Sequence, residues 1–141
     1  MTGDADKRPA GPEPSEAAVR CQPGAPLAGR EVLLGAGGGI ACYKTADLAS
    51  RLVRAGAAVT VAMTEAATRF VAPLTFQALT GRRVYTSLWT APEDACSQHI
   101  SLTARAEILV IAPATADLLA KLAAGIADDL VTTLALAAHG A

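Results

Sequence analysis

The run Val32-Leu33-Leu34-Gly35-Ala36-Gly37-Gly38-Gly39-Ile40-Ala41 carries an apolar strand through four glycines and into the start of a helix. A strand-to-helix turn stripped of side chains lets backbone N–H groups and the positive end of a helix close around a phosphate. The spacing matches neither common nucleotide fingerprint. After Gly35-Ala36-Gly37 the third glycine of the dinucleotide motif would fall at Ile40, and Lys44-Thr45 lacks the glycine that a P-loop places before its lysine. The loop alone points to a phosphorylated ligand without naming a nucleotide.

Outward from this turn, short β-branched or leucine-rich runs alternate with helical periodicity, the signature of a parallel sheet with crossover helices. The fold class is α/β. The first strand covers about Glu31–Leu34, and a helix follows from about Ile40 to Ala55, with Leu48, Leu52 and Ala55 on one face and Gly56 placed to end it. Val59–Met63 carries no charge and reads as a central strand. Thr64 is the N-cap of a short helix over Glu65–Phe70, and Pro73 starts a second, Leu74–Leu79, closed by Gly81. Val84–Leu88 is a short extended piece, and Thr90–Gln98 a polar loop. The third clear strand is Ile108–Ala112. Pro113 and a helix to about Ala124 come next; Gly125 breaks it, and Asp128 or Asp129 caps a last helix, Leu130–Ala138. Three parallel strands leave long open edges, so a further strand beyond Ala141 or a partner over the edge is expected.

A length of 141 residues corresponds to about one domain, and 52% apolar residues suffice for a core. The first segment stands apart: residues 1 to about 29 hold five of the eight prolines and almost no large apolar side chains, the composition of a disordered leader. The domain proper is expected over residues 30–141. With a formal net charge of −1 and scattered Lys and Arg, the chain lacks a nucleic-acid footprint. Arg51, Arg54, Lys121 and Asp128 interrupt the apolar stretches before they reach bilayer length, and the N-terminus has no signal pattern, so no membrane partner is expected. Cys21, Cys42 and Cys96 are odd in number and lack metal-ligand spacing, which suits a reducing cytoplasm and excludes a zinc site.

Chemistry concentrates at three strand ends: Gly37-Gly38-Gly39-Ile40, Thr64, and Ala114-Thr115-Ala116-Asp117. Ligands in open α/β sheets bind outside the carboxyl ends of the strands, so these loops can converge on one mononucleotide-sized site. Glycines and caps at such junctions are also ordinary turn chemistry, which is the plainer reading of Thr64 and Asp117 taken singly. His99 can exchange a proton near neutral pH, whereas a lone loop histidine is commonly a solvated one. Cys42 reads as a small buried residue facing the sheet, with a helix-activated thiol as the alternative. Trp89 and Phe76 could stack on a planar ligand or fill core. No triad, metal cluster or carboxylate pair emerges, so a cofactor would have to carry the chemistry.

Taken together, several segments resemble the homo-oligomeric flavin-containing cysteine decarboxylases, the family of the phosphopantothenoylcysteine decarboxylases. They are Gly37–Lys44, Met63-Thr64-Glu65-Ala66-Ala67-Thr68-Arg69-Phe70, Leu74–Gly81, His99-Ile100-Ser101-Leu102, Pro113-Ala114-Thr115-Ala116-Asp117 and Gly125-Ile126-Ala127-Asp128-Asp129-Leu130. The resemblance runs in order from residue 31 to 138. It implies a flavodoxin-like three-layer fold with FMN as cofactor: Gly38, Gly39 and Ile40 against the flavin or its phosphate, Thr64 from the second strand end, and Thr115, Ala116, Asp117 and Leu118 from the third. His99 matches the family's active-site histidine, managing protons or holding the carboxylate. In the family the flavin oxidises a cysteine thiol, the resulting thioaldehyde-like species loses its carboxylate, and the reduced flavin returns the electrons. The implied reaction is decarboxylation of 4′-phosphopantothenoylcysteine to 4′-phosphopantetheine in coenzyme A biosynthesis. A peptidyl-cysteine decarboxylase of peptide natural-product synthesis and a non-catalytic flavin-binding subunit are the alternatives. The resemblance also implies a trimer-based homo-oligomer. Two departures stand out: Asp117 replaces the usual asparagine, and the family's proline-methionine-asparagine-methionine-tryptophan segment and cysteine-bearing flap are expected beyond the C-terminal part present here.

Overall fold

A computed structural model describes residues 24–89 and 98–138. The glycine-rich run begins in β1 (Glu31–Ala36), which leads into α1 (Cys42–Arg54) and back to β2 (Ala58–Met63). A short α2 (Glu65–Thr68) and α3 (Pro73–Thr80) precede β3 (Val84–Tyr85). The chain then continues through α4 (Gln98–Arg105), β4 (Ile108–Ile111), α5 (Ala116–Ala123) and α6 (Leu130–Ala137). All strand pairs are parallel, in the order β3-β2-β1-β4. The sheet thus has four strands rather than the three expected. The extra one is the two-residue Val84–Tyr85, paired with Val61 and Ala62 and too short to show a strand period.

The local signals act as their chemistry dictates. Thr64 caps α2 by accepting from the Ala67 N–H at 3.1 Å. Pro73 occupies the first turn of α3, where its missing N–H costs nothing, and Gly81 ends that helix at φ 66°, a left-handed conformation glycine adopts freely. Between the two candidates for the last cap, Asp129 is the residue used, accepting from the Thr132 N–H at 2.9 Å while the Thr132 hydroxyl accepts from the Asp129 N–H at 3.3 Å.

One expectation fails: Gln98 and His99 do not lie in a loop but open α4. Ile100 and Leu102 are spaced two apart, a strand-like interval; the helix instead turns Leu102 onto the core, joined by Ala106 just past its end, and leaves Ile100 exposed. Two apolar layers sandwich the sheet. On one face α1 and α3, the latter through Phe76, cover Val32, Leu34, Val59 and Val61; on the other Leu118, Leu130, Val131 and Leu134 pack on Leu33 and Ala62. Phe76 is therefore core. Burying a side chain of this size removes about 1.5–3 kcal/mol of unfavourable hydration each. Residues 24–29, which composition groups with the leader, form turns against α1, with the Leu27 N–H bonded to the Ala55 carbonyl at 2.9 Å. The remainder of the leader, Cys21, Cys96 and His139 lie outside the described residues.

Candidate functional site

β1 occupies the middle of the sheet, and the chain leaves it in two directions: through α1 toward β2 and β3, and by the later crossover to β4 on its other side. Loops after β1 and β4 diverge there, which opens a crevice at the carboxyl end of the strands. The crevice is a cleft of about 610 Å³, within the range of about 300–1,000 Å³ usual for small-molecule sites. Its wall from the β2 side is Thr64, Glu65, Ala66 and Arg69; from the β4 side come Thr115, Asp117, Leu118, Lys121, Asp128 and Asp129, with Gly38 between them.

The glycine turn is packed rather than merely bent. None of Gly35 to Gly39 has a positive φ. A Cβ on Gly37 would collide with the Pro113 carbonyl and come within 2.7 Å of Leu118 Cδ1, and one on Gly38 would collide with Ala66 and meet the Ala67 nitrogen at 2.9 Å. These two glycines let β1 and α1 nest between the loops after β2 and β4. A Cβ on Gly39 would sit at 3.7 Å from Thr115 Cγ2, an ordinary contact. From α1, buried Thr45 donates to the Ala112 carbonyl at 2.7 Å and fastens the helix over the β4 exit.

Ala41 caps α1 without any side-chain hydrogen bond, and in the first turn the Cys42 and Lys44 N–H groups donate to the Gly39 and Ala41 carbonyls, both at 2.9 Å. Two threonines add donors. The Thr64 and Thr115 oxygens accept from the Ala67 and Leu118 N–H groups, at 3.1 and 3.3 Å, which leaves each hydroxyl proton to point elsewhere. On the β4 side Lys121 sits among three carboxylates, at 3.3 Å from Asp117, 3.2 Å from Asp128 and 3.9 Å from Asp129. The Asp128 and Asp117 bonds hold its ammonium above the usual lysine range. One ammonium shared by three carboxylates offsets only part of their charge, so this side of the cleft stays net negative.

Five of the residues singled out from sequence, Gly38, Thr64, Thr115, Asp117 and Leu118, line this one cleft. Gly39 and Ala116 lie beside lining residues, and Ile40 is exposed. The backbone of His99 is in the first turn of α4, which runs antiparallel to the strands, so this turn lies at the sheet end where the cleft opens. Its side chain is outside the described part. Cys42 is fully buried, and burial pushes its thiol up, away from a reactive thiolate. Trp89 is 90% exposed and stands on no described ligand wall. Arg69 and Lys121 escape a reading by strand ends alone, although Lys121 follows Asp117 by four residues and so shares its helix face. Among the described residues no cluster suited to a metal ion occurs, and no helix is long and apolar enough to cross a membrane.

Comparison with known proteins follows the same geometry. The flavoprotein family model matches residues 22–141. The coenzyme A biosynthesis bifunctional protein CoaBC of Vibrio cholerae is 53% identical over 111 residues, covering 79% of this chain and 28% of that protein. CoaBC of Bacillus subtilis is 52% identical over 112 residues, again 79% of this chain and 28% of the relative. The chain therefore spans less than a third of these relatives. Among solved structures, the FMN-dependent cysteine decarboxylase SpaF superposes with a TM-score of 0.72 at 33% identity, covering 80% of this chain and 65% of its own. A PPC decarboxylase variant complexed with pantothenoylaminoethenethiol gives 0.63 at 29% identity, covering 77% and 60%.

Proposed function

This chain belongs to the flavoprotein family, and from that premise we propose that it binds FMN in the cleft and takes part in decarboxylating 4′-phosphopantothenoylcysteine for coenzyme A synthesis. The observation that carries this reading is identity above 50% to CoaBC proteins over the segment that builds the cleft. The donor set suits the cofactor: the positive end of α1, the closely packed Gly38 backbone and the two threonine hydroxyl protons can receive a phosphate monoester. When bound, the flavin supplies two-electron oxidation and reduction at the substrate sulfur. The chain's own residues position and balance charge. Thr64 and Thr115 orient the ligand, Leu118 gives an apolar wall, and Lys121 offsets part of the negative charge of Asp117, Asp128 and Asp129 on the β4 side.

His99 is the residue assigned to proton handling at the substrate. Replacing it with asparagine is expected to abolish carbon dioxide release while the yellow cofactor stays bound; loss of flavin instead would make the role of His99 structural. The substrate is tested by supplying FMN and either 4′-phosphopantothenoylcysteine or a peptide ending in cysteine, and following loss of carbon dioxide by mass. Turnover of the peptide alone rejects the first reading. A catalytically silent flavin-binding subunit would turn over neither.

The site is assigned to a cytoplasmic homo-oligomer, trimeric or built from trimers. Supporting this, Ile40, Tyr43, Phe70 and Leu74, in segments that flank the cleft, are exposed by more than half of their surface. Light scattering of the flavin-loaded chain checks it, and a monomeric mass would remove the assignment.

A further inference from the structure

The cleft is electrically lopsided. Its β4 side holds Asp117, Asp128 and Asp129 around a single cation, Lys121, whose ammonium is fully engaged by them. Its β2 side holds one cation, Arg69, and one acid, Glu65, four residues earlier. That spacing on a helix favours an ion pair, yet among the described residues Arg69 forms no ion pair and no side-chain hydrogen bond to any acid. Its five fixed donors therefore remain available. Close by, Thr64 is only 8% exposed, its oxygen is taken by the Ala67 N–H, and its hydroxyl proton has no acceptor among the described residues. Gly38 lies against Ala66, between Thr64 and Arg69 in the same wall.

An anion entering this cleft is turned away from the carboxylates of α5 and α6 and toward the β2 side. We propose that Arg69 is the phosphate anchor of the cleft, its guanidinium taking a phosphate monoester that also receives the Thr64 hydroxyl. Rigid fork geometry makes arginine well suited to a tetrahedral dianion. The inference rests on the flavin reading for the identity of the ligand but not for its chemistry, because both FMN and 4′-phosphopantothenoylcysteine carry such a group.

The test compares the full chain with Arg69→Ala and Arg69→Lys in three arms. The first measures affinity for FMN against riboflavin by quenching of flavin fluorescence. The second measures kcat/KM for 4′-phosphopantothenoylcysteine against its unphosphorylated form. The third follows line broadening of inorganic phosphate by phosphorus NMR without any flavin. An exposed charge-assisted contact is worth about a ten-fold effect. Arg69→Ala is expected to lower FMN affinity by about that factor and leave riboflavin unchanged, with lysine recovering part of the loss. If the loss falls only on the phosphorylated substrate, Arg69 anchors the substrate in place of the cofactor. Equal effects on phosphorylated and unphosphorylated ligands, or none, overturn the proposal. A wild-type chain that binds neither flavin rejects the flavin reading, and the phosphate arm then decides on Arg69: broadening unchanged in Arg69→Ala overturns it.

Discussion

Gly37, Gly38 and Gly39 are one repeat of the same residue, with two different reasons for being there. At 37 and 38 an added Cβ runs into the backbone of Pro113 or of Ala66 and Ala67, which cannot swing aside as a side chain can. At 39 the nearest atoms are 3.7 and 3.9 Å away. Gly38→Ala should therefore cost about 1–3 kcal/mol of stability, whereas Gly39→Ala should stay within about 0.5 kcal/mol of wild type. Urea unfolding midpoints separate them, and equal losses at both positions would show that the turn needs glycine for flexibility and not for space. The sequence made the run visible as a site and left this distinction hidden. A row of glycines announces close approach, but which neighbour approaches depends on residues about 30 and 75 positions further along the chain. Arg69 was hidden for a related reason: nothing local marks an arginine whose only notable property is the lack of a partner across a cleft.

At the scale of elements, legibility followed the range of the determining interaction. Caps and stops rest on contacts within four residues: Thr64, Pro73 and Gly81 were readable from type and spacing alone, and the last cap was narrowed to Asp128 or Asp129. α4 and β3 were not, because each exists by virtue of distant packing: α4 lays Leu102 on the layer built by α6, and β3 is two residues held by β2. The join between α5 and α6 is of this second kind. Lys121 on α5 reaches Asp128 just ahead of α6, and these contacts raise its proton affinity in the folded state. A group bound more tightly to its proton when folded stabilises the fold at pH values below its unfolded pKa, about 10.4. That stabilisation is lost as pH rises through the higher folded value. Lys121→Met should thus be less stable than wild type at neutral pH, with the gap closing above about pH 10. Urea titrations at low salt across that range check this. A gap that persists unchanged in alkali would mean that the lysine acts through its alkyl chain alone.

Across the whole molecule the two ends of the sheet carry different tasks. The carboxyl end is cleft. The amino end is a charge clamp, in which Arg82 donates to both carboxylate oxygens of Glu31, at 2.7 and 3.0 Å, and to the Thr60 hydroxyl at 3.1 Å. Arg30 pairs there with Glu107 at 2.7 Å, so residues at the starts of β1 and β4 and the approach to β3 are tied together. Glu31 and Arg82 are each about a third exposed, which reduces screening relative to a fully solvated pair, and the two parallel hydrogen bonds fix their geometry. Between clamp and cleft lies the length of β1, its inner residues buried in both apolar layers. Sites separated in this way, without shared partners, contribute independently. Glu31→Ala is accordingly expected to lower unfolding free energy by about 1 kcal/mol while FMN affinity changes by less than about two-fold. Denaturation and flavin titration on one preparation measure both. A parallel fall in FMN affinity would show that β1 transmits strain from one end of the sheet to the other, and that the clamp helps hold the glycine turn in its ligand-ready form.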